Sequence, residues 1–200
     1  MPYNGLRIGV TMRVLEAQGY HEPRDALAQD WSSFISAALP NAAWLPLPNL
    51  GANKIRIYCE KWGINRLILT GGGDIGVSTI RDETERDLLV WAKERAVPVL
   101  GVCRGMQMMV VWAGVALKPV EGHVRTRHLL RGDFMHEVNS FHNYGLADCP
   151  HGFEVTARAE DGEIEAIRNT EQNWEGWMWH PERENPFQSA DIDRLRRLFE

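Results

Sequence analysis

Cysteine is scarce in this chain and scattered: Cys59, Cys103 and Cys149 are its three thiols among 200 residues, with no C-x-x-C pair. That spacing indicates neither a disulfide framework nor a zinc site, and neither a metal nor a cofactor is expected. Long apolar runs are missing too. The longest, Met108 to Leu117, falls well short of the roughly twenty residues needed to span a bilayer, so no membrane partner is expected. The opening residues, Met1-Pro-Tyr-Asn-Gly-Leu-Arg7, carry no signal-peptide core. No linker, repeat or low-complexity stretch interrupts the sequence, so residues 1–200 read as one domain able to bury a sizeable core. Basic residues are in the minority, 22 Lys and Arg against 27 Asp and Glu, and the formal net charge of −5 argues against nucleic acid as a partner. A soluble, reducing, cytoplasmic setting is expected.

What is present concentrates in two short runs. Val97-Pro-Val-Leu-Gly-Val-Cys103-Arg-Gly-Met-Gln107 begins as a β-branched stretch, the mark of a buried strand. From Gly105 it continues as an apolar-faced helix through Met106, Gln107, Met108, Met109, Val110, Val111 and Trp112. Cys103 thus stands at a strand-to-helix corner, the nucleophile-elbow layout with sulfur in place of the serine oxygen. Gly101 and Gly105 let the helix pack close behind a crowded turn. A thiol at a helix N-terminus is favoured as the thiolate, its reactive form. The competing reading is a buried cysteine acting as a small hydrophobe.

The second run decides between them. Trp177-Met-Trp179 leads as a strand into His180-Pro-Glu182, where Pro181 biases His180 toward extended geometry. Residues i and i+2 of an extended segment share a side, which places Glu182 beside the His180 ring. A carboxylate there fixes the tautomer and supports the imidazolium, while the imidazole deprotonates the thiol. An incidental ion pair at a surface strand end is the bland alternative. Taken together, Cys103, His180 and Glu182 read as a catalytic trio.

Elements alternate through the first 120 residues. Strands are expected at Leu6–Thr11, Ala43–Leu47, Arg66–Leu69 and into the elbow. Helices are expected at Arg24–Ala38, Ile55–Trp62, Asp82–Arg95 and after Cys103. Short strands follow at Arg127–Leu130, Glu137–Ser140, Phe153–Ala157, Ile164–Ile167 and Glu175–Trp179, with a closing helix at Asp191–Phe199. The pattern predicts an α/β fold, a mostly parallel central sheet flanked by helices with a smaller antiparallel section in the C-terminal half. Ligands sit at the carboxyl ends of such strands, where Gly71–Asp74, Cys103 and the loop Arg13–Arg24 fall. The run Gly71-Gly72-Gly73 lacks a following Gly-Lys-Ser/Thr, so a phosphate loop is poorly supported. It is either a flexible turn or the source of an oxyanion-binding N–H, Gly72 being the first choice, beside the N–H of Arg104. Gln107, one helical turn past Cys103, can approach the same pocket.

These motifs resemble those of the class I glutamine amidotransferase-like superfamily, and within it the γ-glutamyl hydrolase branch (peptidase family C26). Gly101-Val-Cys103-Arg-Gly105-Met-Gln107 and Trp179-His-Pro-Glu182 carry the resemblance. Leu69-Thr-Gly71-Gly72-Gly73-Asp74 is similar to the family's oxyanion strand, and Val138-Asn139-Ser140-Phe141-His142 to its substrate-binding run. Two stretches depart from the family pattern, Gly76-Val77 after the glycines and His142-Asn143-Tyr144. The resemblance implies that Gln107, Ser140 and Phe141 hold the glutamyl group of a small-molecule γ-glutamyl substrate. It implies a free-standing hydrolase that releases glutamate. A glutaminase subunit passing ammonia to a synthase stays open beside it, while a catalytically dead domain is disfavoured by the intact trio.

His123, Arg125, Arg127, His128 and Arg131 form a basic cluster in an otherwise acidic chain. It is either a solvated hairpin or an anion site, since guanidinium forks match phosphate geometry. The second reading, with Arg125 and Arg127 binding substrate, favours an anionic leaving group. Within the branch, a resemblance in size and N-terminal pattern to hydrolases of γ-glutamyl-CDP-amidate implies that compound as the substrate, with γ-glutamyl-γ-aminobutyrate as its competitor.

Overall fold

The computed structural model describes residues 5–200; Met1–Asn4 of the opening segment lie outside them. Strand β1 (Arg7–Thr11) is followed by a hairpin, β2 (Arg13–Glu16) and β3 (Pro23–Ala26), then by helix α1 (Asp30–Ala38). Next come β4 (Ala43–Leu47), α2 (Lys54–Trp62), β5 (Arg66–Leu69), α3 (Thr79–Arg95), β6 (Val99–Val102) and α4 (Arg104–Trp112). The second half holds short strands: β7 (Leu117–Pro119), β8 (Val124–Leu129), β9 (Arg131–Gly132), β10 (Glu137–Phe141) and β11 (Tyr144–Leu146). After β12 (Glu154–Arg158), β13 (Ile164–Asn169) and β14 (Trp174–Trp177), a 3-10 turn at Pro181–Arg183 precedes helix α5 (Ser189–Phe199).

An eight-stranded sheet runs β4-β1-β5-β6-β14-β13-β12-β9. Its first five strands are parallel and the remaining pairings antiparallel, the expected α/β plan. Pairs β8–β10, β7–β11 and β2–β3 stand apart from it. Alternation along the strands sorts the core into two faces. Leu67, Leu69 and Val99 point into a cluster with Ile55, Leu88, Trp91 and Met108, under α2, α3 and α4. Ile68, Leu100 and Val102 point the other way, toward Trp31, Phe34, Trp177, Trp179, Leu195 and Phe199, under α1 and α5.

Three expectations are corrected. Residues 24–27 belong to no helix: Pro23–Ala26 pairs with Arg13–Glu16 as a hairpin, and the Asp25 carboxylate accepts from the Asn49 backbone (2.9 Å) and side-chain amides. The helical face is Trp31, Phe34, Ile35 and Ala38, and Ala26 and Leu27 matched its period by coincidence. Helix α3 begins a turn early, at Thr79, because Arg81, Thr84, Glu85 and Asp87 are buried and polar and blur its amphipathic signal. Strand β14 stops at Trp177, and Glu182 lies in the 3-10 turn rather than in extended chain.

Candidate active site

Cys103 closes β6 and opens α4 with φ 52° and ψ −106°, a positive φ that L-residues avoid. Its N–H donates to the Trp177 carbonyl (2.7 Å) and its carbonyl accepts the Gln107 N–H (3.0 Å), so the corner is fastened on both sides. Space behind it demands glycine. A Cβ on Gly105 meets the Leu69 carbonyl oxygen at 2.1 Å, and one on Gly101 meets Met109 Sδ at 2.5 Å. Helix α4 therefore sits close against β5 and β6, its N-terminus aimed through Cys103.

The imidazole of His180 is buried beside the thiol. Asn139 on β10 clamps its backbone, Oδ1 accepting the His180 N–H (3.0 Å) and Nδ2 donating to the His180 carbonyl (2.8 Å). Nδ1 is 2.7 Å from Glu182 Oε1, which leaves Nε2 for the thiol. Burial presses the His180 pKa down. The charge and hydrogen bond of Cys103, together with Glu182, outweigh it and lift the pKa to about 9. The 3-10 turn brings the Glu182 carboxylate back onto the ring by a tighter path than an extended segment offers.

A cleft of about 80 Å³ lies in front of Cys103 and His180, lined also by Gly72, Gln107, Phe141 and Arg183. Gly72 has φ 88°, and its carbonyl accepts from Arg81. As the first residue of α4, Arg104 has a backbone N–H without a partner inside the helix. Gln107 Nε2 donates to the Tyr144 carbonyl (2.8 Å) at the cleft wall. The Phe141 ring stands edge-on to His180 at 5.9 Å, with the Arg183 guanidinium 4.8 Å from its centre. Ser140 is buried behind this wall, its hydroxyl donating to the His123 carbonyl (2.8 Å).

The basic cluster does not assemble into one patch. Arg127 pairs with Glu137 and with Glu184 (3.2 Å), and Arg131 reaches toward Glu160 (3.8 Å). His123 is fully buried, and Arg125 and Arg127 are not among the residues that line the cleft. The cleft is lined by Arg104, whose guanidinium is taken up by Asp82 and Glu85, and by Arg183, and Arg13 packs against Gly72.

Sequence reasoning missed a buried ionic network under the glycine run. The Arg104 guanidinium pairs with Asp82 and Glu85, and Arg81 Nε with Glu85 Oε1 (3.0 Å). Arg81 also donates to the Thr70 carbonyl (2.8 Å), and Thr11 Oγ1 to Glu85 Oε1 (2.9 Å). The available signal was the Arg81–Glu85 spacing of one helical turn.

A family model described as glutamine amidotransferase class-I matches residues 51–192. The chain belongs to this family. A γ-glutamyl-CDP-amidate hydrolase from Campylobacter jejuni is 32% identical over 192 residues, covering 92% of this chain and 94% of that protein. A glutamine amidotransferase structure from Thermotoga maritima superposes with a TM-score of 0.66 at 14% identity, covering 98% of this chain and 84% of that one. A solved chain from Thermoplasma acidophilum reaches 0.74 at 16% identity, with 98% and 94% covered. Relatives in the family also include GMP synthases, such as that of Carboxydothermus hydrogenoformans, 27% identical over 64% of this chain and 29% of that protein. Among the described residues no helix is long and apolar enough to cross a membrane.

Proposed function

We propose that this chain is a cysteine-dependent hydrolase that cleaves a γ-glutamyl amide and releases glutamate through a γ-glutamyl thioester. The observation that carries the reading is a thiol at a positive-φ corner beside a buried imidazole, with Glu182 2.7 Å from the far nitrogen of that ring. Near neutral pH the ring rests as imidazolium, because His180 is held at about 9.

In the first step Cys103 Sγ attacks the γ-carbonyl carbon and the carbonyl electrons move onto oxygen. The N–H groups of Arg104 and Gly72 meet that oxyanion, and charge stabilisation of this kind dominates acyl transfer. The C–N bond then breaks as the His180 imidazolium protonates the departing nitrogen. In the second step neutral His180 takes a proton from water, hydroxide adds to the thioester, and glutamate leaves as the thiolate returns. Gln107 and the 140–141 backbone hold the glutamyl end.

The leaving group we assign is anionic and phosphate-bearing, in the manner of γ-glutamyl-CDP-amidate. The 32% identity to a hydrolase of that compound, along nearly the whole chain, supports it. Arg183, a partly exposed residue of the cleft lining, is the cation suited to meet it. The second reading, a glutaminase subunit, is favoured by the GMP synthase relatives. Purified protein offered a panel of γ-glutamyl amides with nucleotide, γ-aminobutyrate and ammonia leaving groups separates the two. Steady glutamate release without a partner supports the hydrolase; release only when a synthase is added overturns it.

A further inference from the structure

We infer that His123, His142 and Glu165, with His128 as the fourth ligand, form a zinc site behind the wall of the cleft. This inference is independent of the proposed reaction. Three atoms carry it. His123 Nδ1 lies 3.2 Å from His142 Nε2, and each is 3.3 Å from Glu165 Oε1. Tetrahedral zinc with bonds of about 2.0–2.1 Å to nitrogen and oxygen places its ligand atoms roughly 3.3–3.4 Å apart, so this triangle is one face of such a site. His128 stacks with its ring centre 4.2 Å from that of His123, and ligand atoms of His123, His128 and Glu165 all lie within 4.8 Å of one another.

The outer nitrogens show how the rings are set. His123 Nε2 is 2.8 Å from Asp161 Oδ2, and His142 Nδ1 is 3.1 Å from the Tyr144 carbonyl. Both acceptors call for an N–H at those positions, which leaves a lone pair on each inner nitrogen. A carboxylate or carbonyl behind each histidine is the usual support of a metal-bound imidazole. Glu165 is fully buried, and neither of its oxygens accepts a hydrogen bond in the described structure. Three lone-pair atoms so close, around a buried carboxylate, require positive charge between them.

A proton is the other occupant. Glu165, working against burial and helped by Asp161, lifts His123 to about 9. Yet one added proton serves a single edge of the triangle and leaves the remaining contacts unsatisfied, whereas a divalent cation serves every corner. Imidazole with carboxylate is a donor set that suits zinc, and four protein ligands make the site structural rather than catalytic. The ligands come from the residue just before β8, from β8 itself, from the turn after β10 and from β13. Zinc would therefore bind the β8–β10 pair to the main sheet. It would also hold Tyr144, whose carbonyl receives both His142 and Gln107.

Metal analysis of the full chain, purified and dialysed without chelator, should find about one zinc per chain. Cobalt added to chelator-stripped protein should develop the intense visible bands of tetrahedral coordination, which a protonated cluster does not produce. Asp161→Asn, at a half-exposed position, should leave the far-ultraviolet circular dichroism unchanged and weaken zinc binding by roughly 10–100-fold. Glu165→Gln should abolish the cobalt spectrum. Should that variant fail to fold, the wild type still decides, through the rise in Tm when zinc but not magnesium is restored. Folded wild-type protein that holds no zinc, gives no tetrahedral cobalt spectrum and shows no Tm response overturns the inference in favour of the protonated cluster.

Discussion

Gly71 and His180 share one space: a Cβ built on Gly71 lies 2.5 Å from His180 Cε1 and 3.3 Å from Nε2. The ring cannot retreat without breaking its present contacts, because Glu182 holds Nδ1 and Asn139 holds the backbone on both sides. Gly71→Ala should displace the imidazole from the thiol while the core stays folded. A displacement near 1 Å costs about 100-fold in rate. The expected result is a fall of that order in kcat with an unchanged Tm. Wild-type kcat in the alanine variant would show that the ring position is not critical.

Cys103→Ala should remove turnover and leave substrate binding nearly intact. His180→Ala should lose a similar factor, and the double variant little more, since nucleophile and base act as one unit. Rapid-quench mass spectrometry of the wild type should find a γ-glutamyl adduct on Cys103. Losses that multiply in the double variant would separate the two residues into independent roles.

The pH profile follows from the His180 pKa, raised to about 9 against burial by Cys103 and Glu182. A raised histidine pKa keeps the imidazolium present below it, so the proton for the leaving nitrogen is lost as pH climbs through about 9. The alkaline limb of kcat/KM should fall there. Glu182→Gln removes one of the raising influences, and its limb should move to lower pH. A limb that stays in place in this variant would free the alkaline pKa from His180.

The pairing of Arg104 with Glu85 is fully buried. Arg104→Met leaves the Glu85 carboxylate without that partner, a change that costs about 3–5 kcal/mol when the charge stays in the interior. Urea unfolding should show the midpoint shifted accordingly. An unchanged midpoint would mean that Arg81 alone satisfies Glu85.

Charge at the cleft mouth should be read at Arg183 rather than in the β8 cluster. Arg183→Ala should raise KM for a phosphate-bearing substrate by roughly 10–100-fold, the equivalent of about 1.5–3 kcal/mol for a hydrogen bond to a charged group. KM for a small neutral γ-glutamyl amide should barely change. Arg125→Ala should keep the wild-type ratio between the two substrates. The reverse pattern would return the anion site to Arg125 and Arg127.

Much of the architecture was legible because period and punctuation coincide in it. Arg66–Leu69 is a strand with its expected bounds, and Gly63 ends α2 in the left-handed conformation. Cys103 and its flanking glycines announce their corner because Leu69 at Gly105, and Met109 with the Gly105 backbone at Gly101, leave no room for a Cβ. Long-range polar pairing was not legible. Residues 24–26 looked helical from their neighbours and became part of a strand through Arg13–Glu16. Asn139 gives no local sign that it clamps a backbone 41 residues away. His123 read as part of a basic cluster and His142 as the end of the substrate-binding run, yet Glu165 draws both inside. The Arg104 network joins β1, α3 and α4, and only the assembled sheet brings these together.

Strand β14 lies directly beside β6 in the middle of the sheet, although some seventy residues of chain separate them. A growing chain exposes the thiol long before Trp177 arrives to accept the Cys103 N–H. Until then β6 is an open edge, a template for pairing with the wrong strand. The imidazole that completes the corner comes three residues after Trp177. Reactivity in this protein is thus timed as well as placed: the nucleophile is made early and armed almost last.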